Sequence, residues 1–139
     1  MVITDADIII EVFRKNPAAL SFLTNNIGPY EILLSAVTVA EIQQGAQNKE
    51  NLQQINKVLK QFIILPVDFH VSEIFSRLVS KYVLSHDTDI ADTMVAATCL
   101  HYQIPLLTMN QKHYKHIPGL QIIKHQIKPI KGGHFGLFE

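Results

Sequence analysis

Three acidic residues occur where strands should end or helices should begin, and together they could bind a cation. Asp5 follows a first short apolar run, Glu41 follows a second, and Asp92 opens the apolar segment 93–100. The carboxyl ends of parallel strands meet at one edge of an α/β sheet, so we expect these side chains to converge. Carboxylates that converge repel each other unless a cation lies between them. Mg²⁺ or Mn²⁺, which prefer oxygen ligands, would suit this site and would support phosphodiester hydrolysis.

Five further polar residues fall near the same expected edge and could extend the site. They are Asp7, Asp89, Thr108, Asn110 and His113. Asp89 lies one helical turn before Asp92 and therefore on the same face, where it could also be the N-cap of that helix. Glu41 has an alternative role as well, because the spacing from Thr38 to Glu41 matches a capping box that would begin a helix at Thr38.

Strands and helices alternate along the chain, which predicts an α/β fold with a central parallel sheet of about five strands between helical layers. The predicted strands cover residues 2–4, 30–35, 62–65, 106–108 and 120–123. The clearest helical periodicity runs over residues 71–83. We expect one domain over residues 1–125 and a tail over residues 126–139, with the glycine-containing part at 131–134 flexible.

Composition is typical of a folded cytoplasmic domain and argues against a membrane protein. The 139 residues are 47% apolar and 17% charged, and the apolar runs are too short to span a bilayer. The N-terminus shows no basic region followed by a cleavage pattern, so we expect no secretory signal. The single cysteine, Cys99, cannot form an internal disulfide, which fits a reducing compartment.

The zero formal net charge hides an uneven distribution along the sequence. Residues 1–92 contain eleven acids and seven Lys or Arg, whereas residues 93–139 contain one acid and five lysines. An acidic site beside a basic flank suits an enzyme that acts on a polyanion, although a solvated surface would give the same pattern. The candidate phosphate contacts are Arg14, Lys15, Lys112, Lys115 and Lys124.

Four segments, in this order, carry a resemblance to a known family. They are residues 2–10, 35–42, 91–98 and 107–110, the last followed by Ile117-Pro118-Gly119-Leu120. Over roughly residues 1–123 the chain resembles the PIN-domain ribonucleases, and most closely the toxins of VapBC toxin–antitoxin pairs.

The resemblance implies a PIN-like three-layer fold and a divalent-metal-dependent endoribonuclease. It implies that Asp5 and Asp92 bind the metal, that Glu41 is the third acid and that Asn110 is a polar site position. It also implies an RNA substrate, a small antitoxin partner and a homodimer. The chain departs from the family in having Asp7 where Ser or Asn is frequent, and His113 where many members have Asp.

Two other functions remain open from the sequence. The absence of an acid at His113 is compatible with a weakly active or inactive PIN-like protein that only binds RNA. The Asp5-Ala6-Asp7 triplet after a strand is similar to the motif of haloacid-dehalogenase-type phosphatases, in which the first aspartate is a nucleophile. That family usually continues with Gly-Thr, whereas Ile8-Ile9 here begins a helix.

Overall fold

The structure, a computed structural model, describes residues 1–28 and 31–130. Its strands are β1 (Val2–Thr4), β2 (Ile32–Ser35), β3 (Ile63–Leu65) and β4 (Leu106–Leu107). Its α-helices are α1 (Ala6–Phe13), α2 (Pro17–Asn26), α3 (Ala36–Gln44), α4 (Lys49–Leu59), α5 (Phe69–Tyr82) and α6 (Ile90–Tyr102). A short 3₁₀ turn spans Gln111–His113. Within the described ranges, no helix combines the length and apolarity needed to cross a membrane.

The strands form one parallel sheet in the order β3-β2-β1-β4. The central strand β1 places Ile3 opposite Leu33 on one side and Leu106 on the other. The predicted fifth strand over residues 120–123 is reduced to an isolated bridge between Leu106 and Ile122. Because β4 is only two residues long, this segment finds one pairing position beside it rather than a ladder. The α/β class is confirmed, with four strands among the described residues instead of about five.

Alternate residues of each strand point to opposite faces of the sheet and divide the core in two. Val2 and Ile32 belong to a core that α1, α2, α3 and α4 cover, whereas Ile3 and Leu33 belong to a core that α5 and α6 cover. Cys99 is buried in the second core, in agreement with a packing role. The three-layer arrangement leaves the carboxyl edge of the sheet as the place where strand ends and helix starts meet.

The start of α3 differs from the sequence-based expectation. Ser35, the last residue of β2, has extended backbone angles and its Oγ accepts a hydrogen bond of 3.2 Å from the Val37 N–H. The helix therefore begins at Ala36, and the predicted capping box of Thr38 and Glu41 is wrong. Thr38 is buried inside the helix, and Glu41 lies in its second turn, free of a capping role.

The start of α6 follows a local capping signal. Asp89 is the N-cap, and its Oδ1 accepts a hydrogen bond of 2.9 Å from the Asp92 N–H. Asp92 is thus the third residue of the helix rather than its first. Its carboxylate lies in the first turn, where the helix dipole favours negative charge.

The chain after residue 124 returns to the domain. Ile127 is buried in the first core, and the backbone N–H of Ile130 donates to Glu11 Oε1 at 2.9 Å. His125 Nε2 donates to the carbonyl of Thr108 at 2.6 Å. Residues 125–130, part of which was predicted as tail, therefore contact the domain at Thr108, after β4, and at Glu11 on α1. The predicted flexible segment 131–134 lies outside the described residues.

Candidate active site

Four carboxylates gather at the carboxyl edge of the sheet. Asp5 joins β1 to α1, Asp7 lies in the first turn of α1, Glu41 lies on α3 and Asp92 on α6. Burial, and then the charge of Asp5, raise the pKa of each of the other three, as expected for carboxylates that lie close together. The structure thus brings together the three acids predicted as the site and Asp7, which was predicted as a possible extension of it.

Asp5 is the most strongly held of these acids. It is only 4% exposed, and its Oδ1 accepts from the Ala6 N–H at 2.8 Å. Its Oδ2 accepts from Tyr114 Oη at 2.7 Å and from Thr108 Oγ1 at 3.0 Å. A carboxylate offers about four lone-pair directions, so three are occupied and the remaining one belongs to Oδ1. The orientation of Asp5 is therefore fixed without any ligand.

Tyr114 is a residue of the site that the sequence did not reveal. Its ring is fully buried in the second core. Its hydroxyl, however, donates to Asp5, and burial together with the charges of Asp5 and Asp92 raises the pKa of Tyr114 above its ordinary value. A buried tyrosine hydroxyl needs a polar partner, which was the available signal, but the sequence does not say which partner.

Thr108 connects Asp5 to Asp7. Its Oγ1 lies 3.0 Å from Asp5 Oδ2 and 3.4 Å from Asp7 Oδ2, and it accepts a hydrogen bond from the Asn110 N–H at 3.0 Å. A hydroxyl has one proton to donate, so the shorter contact to Asp5 takes it when both acids are ionised. The predicted site position Thr108 thus holds Asp5 and also fixes the turn that follows β4.

The surroundings of Asp7 disfavour the negative charge of its carboxylate. Its Oδ2 accepts from the Met109 N–H at 3.0 Å, but its Oδ1 is buried without a hydrogen-bond partner among the described residues. Burial, followed by the charge of Asp5, raises the pKa of Asp7 to about 7. Asp7 is therefore a carboxyl group poised to exchange a proton near neutral pH.

Glu41 shows the same combination from the opposite side of the cluster. Its Oε1 is buried, and no hydrogen-bond partner for it exists within the described ranges. Burial, and then the charges of Asp5 and Asp92, raise the pKa of Glu41 to about 7. An unpartnered carboxylate oxygen that faces other acids lacks the positive charge or donor that would stabilise it.

Asp92 is paired with His113. The distance from His113 Nδ1 to Asp92 Oδ2 is 2.9 Å, and the carboxylate must be the acceptor. Burial and the charge of Asp5 raise the pKa of Asp92, and the hydrogen bond from His113 opposes part of this effect. The histidine at the position of the expected fourth acid therefore orients Asp92 instead of adding another carboxylate.

The remaining predicted positions lie around the acidic cluster. Asn110 begins the 3₁₀ turn, and its exposed side chain makes no capping hydrogen bond there. Lys112 and Lys115 are exposed on and just after this turn. Arg14 Nη1 forms an ion pair of 3.0 Å with Glu11, so its charge is partly compensated. The other two candidate phosphate contacts, Lys15 and Lys124, have exposed side chains.

The donor set fits a hard divalent cation held partly through water. Across residues 1–28 and 31–130, no group of three or more His, Cys, Asp or Glu side chains is arranged so that it could hold a metal ion by itself. The buried, unpartnered oxygens of Asp7 and Glu41 nevertheless lack positive charge, and every acid of the cluster supplies hard oxygen ligands. Mg²⁺ needs only one or two direct carboxylates because it keeps several of its waters. Asp5 and Asp92, with Glu41 beside them, meet that requirement.

Comparison with known proteins identifies the family. The profile of the PIN domain matches residues 2–119, and the chain belongs to the PIN domain family. It is 23% identical over 130 residues to a protein named Ribonuclease VapC from Rickettsia bellii, covering 91% of this chain and 97% of that protein. It is 29% identical over 123 residues to Ribonuclease VapC19 from Mycobacterium tuberculosis, covering 87% and 98% respectively.

Solved structures of toxin–antitoxin proteins share this fold. VapBC2 from Rickettsia felis, bound to a DNA fragment from its promoter, superposes with a TM-score of 0.78 at 19% identity, covering 91% of this chain and 100% of that one. A toxin–antitoxin complex from Klebsiella pneumoniae gives a TM-score of 0.72 at 24% identity, covering 86% and 95%. At these identities the likeness establishes the fold.

Proposed function

We propose that the chain is a divalent-metal-dependent endoribonuclease and the toxin of a toxin–antitoxin pair. The observation that carries the proposal is the convergence of Asp5, Asp7, Glu41 and Asp92 at one sheet edge, with unpartnered oxygens on Asp7 and Glu41. Such a cluster is unfavourable unless a cation compensates it. The ribonuclease names of the similar proteins support the substrate class.

The side chains have different proposed roles because their environments differ. Asp5 and Asp92 hold the cation, since Thr108 and Tyr114 fix the first carboxylate and His113 orients the second. When bound, Mg²⁺ or Mn²⁺ supplies positive charge against the phosphate and makes a water more acidic. Burial and the charges of Asp5 and Asp92 raise the pKa of Glu41 to about 7 in the metal-free cleft, and a bound cation would lower it. An ionised Glu41 would then bind the cation or orient one of its waters.

The lysines beyond Asp92 provide the proposed phosphate contacts. Lys112 and Lys115 lie on the segment that carries His113, so they flank the acidic cluster, and both are exposed. Lys124 precedes His125, which contacts the Thr108 carbonyl, so Lys124 lies near the same edge. Arg14, which is paired with Glu11, and Lys15 follow the far end of α1, about 12 Å along the helix from Asp5, and contribute less. Contacts of this kind add affinity without sequence preference and weaken as salt rises.

The alternatives are less well supported. A phosphatase of the haloacid-dehalogenase type usually continues its motif with Gly-Thr, whereas here α1 begins at Ala6, directly after Asp5, and continues through Ile8-Ile9. An inactive RNA-binding PIN protein would not need the buried carboxylate cluster to be retained. The proposed partners are a small antitoxin protein, as in the toxin–antitoxin complexes of the same fold, and a second copy of the chain.

The test is cleavage of RNA by the purified chain. With Mg²⁺ or Mn²⁺ it should cut RNA internally, and EDTA should abolish the activity. Asp5→Asn and Asp92→Asn should each lower the rate by about a hundredfold or more, since loss of metal charge stabilisation removes several kcal/mol. Glu73→Gln, which removes an exposed acid from α5, is the matched control and should cleave at the wild-type rate. Wild-type cleavage by a folded Asp5→Asn or Asp92→Asn variant would reject the proposal.

A further inference from the structure

A stacked pair of histidines lies beside the acidic cluster. The imidazole rings of His86 and His116 are 4.1 Å apart between centroids, with an interplanar angle of 15°. His86 is exposed and His116 is partly exposed. The two rings cover each other's inner faces, and the outer face of the stack is a flat aromatic surface in contact with solvent. Neither residue was assigned a role from the sequence or in the proposed cleavage.

A buried tyrosine holds this pair in place. The Tyr82 ring packs edge-on against His116 at 4.6 Å and against His86 at 5.2 Å between centroids. Its hydroxyl also donates to the backbone carbonyl of His116 at 3.2 Å. Because Tyr82 is only 8% exposed and belongs to the second core, the histidine pair is attached to a rigid part of the fold. A platform held in advance loses little conformational entropy when a ligand binds.

The pair lies next to the candidate catalytic residues. His116 lines the same crevice as Asp92 and His113. This crevice has a volume of about 10 Å³ and could hold no more than a water, so a nucleobase cannot enter it and would have to stack outside it. Lys81 Nζ lies 5.4 Å from the Tyr82 ring centroid and places a positive charge beside the platform.

We propose that the His86–His116 pair is a stacking site for an unpaired nucleobase adjacent to the scissile phosphate. The inference rests on the proposed ribonuclease function and adds a subsite to it. Phosphates are repelled by the carboxylate cluster wherever a cation does not intervene, so an uncharged contact beside the cluster would add to the lysine contacts in retaining the strand. Stacking of bases on aromatic side chains provides such a contact and tolerates any base.

A metal ion is a poorer match for the same pair. Ring nitrogens of parallel stacked imidazoles do not converge on one point, and within the described part of the chain no three potential ligands form a metal group. The geometry therefore favours a flat, neutral ligand.

The chain contains a matched control in a second histidine pair, at the N-terminal end of α5 and the C-terminal end of α6. His70 and His101 are also stacked, with centroids 5.4 Å apart and an interplanar angle of 17°. His70 precedes Tyr82 by twelve residues on α5, which corresponds to about 18 Å along the helix axis. This second pair has the same chemistry but lies far from the acidic cluster.

The experiment compares two double variants in an Asp5→Asn background that prevents cleavage. Binding of a fluorescent single-stranded oligoadenylate is measured for His86→Ala/His116→Ala and for His70→Ala/His101→Ala. The first should bind roughly tenfold or more weakly, as expected for loss of stacking on one base, and the second should bind like its parent. His86→Phe/His116→Phe should retain most of the affinity because it keeps the rings. An oligonucleotide without bases should bind equally to all of these variants.

The outcomes separate this site from the proposed function. If the parent binds the RNA and wild type cleaves it, but both alanine doubles bind alike, the stacking site is wrong and the ribonuclease proposal stands. An equal loss of affinity for the oligonucleotide without bases would also overturn stacking, since it would indicate phosphate contacts. Absence of both RNA binding and cleavage in the wild-type chain would reject the two proposals together. Melting temperatures confirm that each variant is folded.

Discussion

The Asp5 carboxylate accepts three hydrogen bonds, and its charge acts on three other acids of the site. Two of its donors, Thr108 and Tyr114, come from the segment after β4, so they fix Asp5 across the edge of the sheet. Asp7 and Glu41 receive less support, and the pKa of each is raised to about 7 by burial and by Asp5. In the absence of metal, the site therefore stores an unfavourable free energy that depends on pH.

Glu41→Gln should stabilise the metal-free protein above about pH 7, because it removes a carboxylate whose ionisation the fold disfavours. A carboxyl pKa raised on folding gives stability that is complete below the unfolded value of about 4.5 and is lost as pH rises through about 7. The gain should be about 1 kcal/mol after allowance for solvent screening, or about 4 °C in melting temperature. Thermal unfolding in EDTA across this pH range measures it.

Two controls bear on that measurement. Glu50→Gln, which removes an exposed acid from the first turn of α4, should keep the wild-type pH dependence. Added Mg²⁺ should raise the wild-type melting temperature more above about pH 7 than below it, by linkage to the ionised cluster. If Glu41→Gln is instead less stable than wild type in EDTA at high pH, Glu41 is a structural residue rather than a metal-site acid.

At the scale of elements, the segment 125–130 attaches the C-terminal part of the described chain to α1 and to the residue that follows β4. Glu11 on α1 is 1% exposed and accepts hydrogen bonds from Arg14 Nη1, Asn16 Nδ2 and the Ile130 N–H. Asn16 also donates to the Lys128 carbonyl and is the N-cap of α2. Burial would raise the pKa of Glu11, but the donors outweigh it and the pKa is lowered. The junction of α1 and α2 thus depends on an ionised, fully satisfied carboxylate.

Glu11→Ala should destabilise the protein by about 2–3 kcal/mol, because it removes the acceptor of a buried hydrogen bond from Asn16 and of a part-buried one from the Ile130 N–H. Since the pKa of Glu11 is lowered on folding, its contribution is present above the ordinary carboxylate range and is lost as pH falls through the folded value. Urea unfolding at neutral and acidic pH measures both effects. Glu50→Ala, an exposed position on α4, should change stability far less. A loss no larger than in that control would show that the junction does not need Glu11.

For the whole molecule, the fold places the acidic cluster and the lysine-rich segment at one edge. Asp5, Glu41 and Asp92 come from the first ninety-two residues, while Lys112 and Lys115 follow β4 immediately. Acidic and basic residues that are separated along the sequence are therefore neighbours in the structure, and the site contains charges of both signs. A polyanion approaching this edge meets both the cation-binding acids and the lysines that compensate its phosphates.

Expression of the chain alone should arrest bacterial growth if the proposed toxin role is correct. Co-expression of the small gene beside it should relieve the arrest, because a toxin must be held silent by its partner. Asp5→Asn should remove the arrest at equal expression, since it lowers cleavage by about a hundredfold or more. Colony counts and culture density after induction measure the effect. Normal growth during strong expression of folded wild-type protein would favour a nuclease without a toxin role.

Much of the site could be predicted because its signals are local. The alternation of strands and helices determines which strand ends and helix starts meet at the carboxyl edge. Asp5, Glu41 and Asp92 could therefore be grouped from their positions alone. The capping role of Asp89 was likewise predictable, because an N-cap bond reaches only three residues along the chain. The same kind of signal failed at Thr38, since Ser35 offers an earlier hydroxyl at the point where the strand ends.

Only the tertiary structure decided which residues hold the acids. Tyr114 lies 109 positions from Asp5, and nothing in its local sequence identifies a hydroxyl that will reach that carboxylate. His113 could be recognised as a departure from the family, but its bond to Asp92 depends on how the turn after β4 packs against α6. Periodicity and capping are determined within a few residues, whereas hydrogen bonds between distant segments require the sheet order and the docking of both helical layers. The sequence therefore determined which acids share an edge, and packing determined their partners and their pKa values.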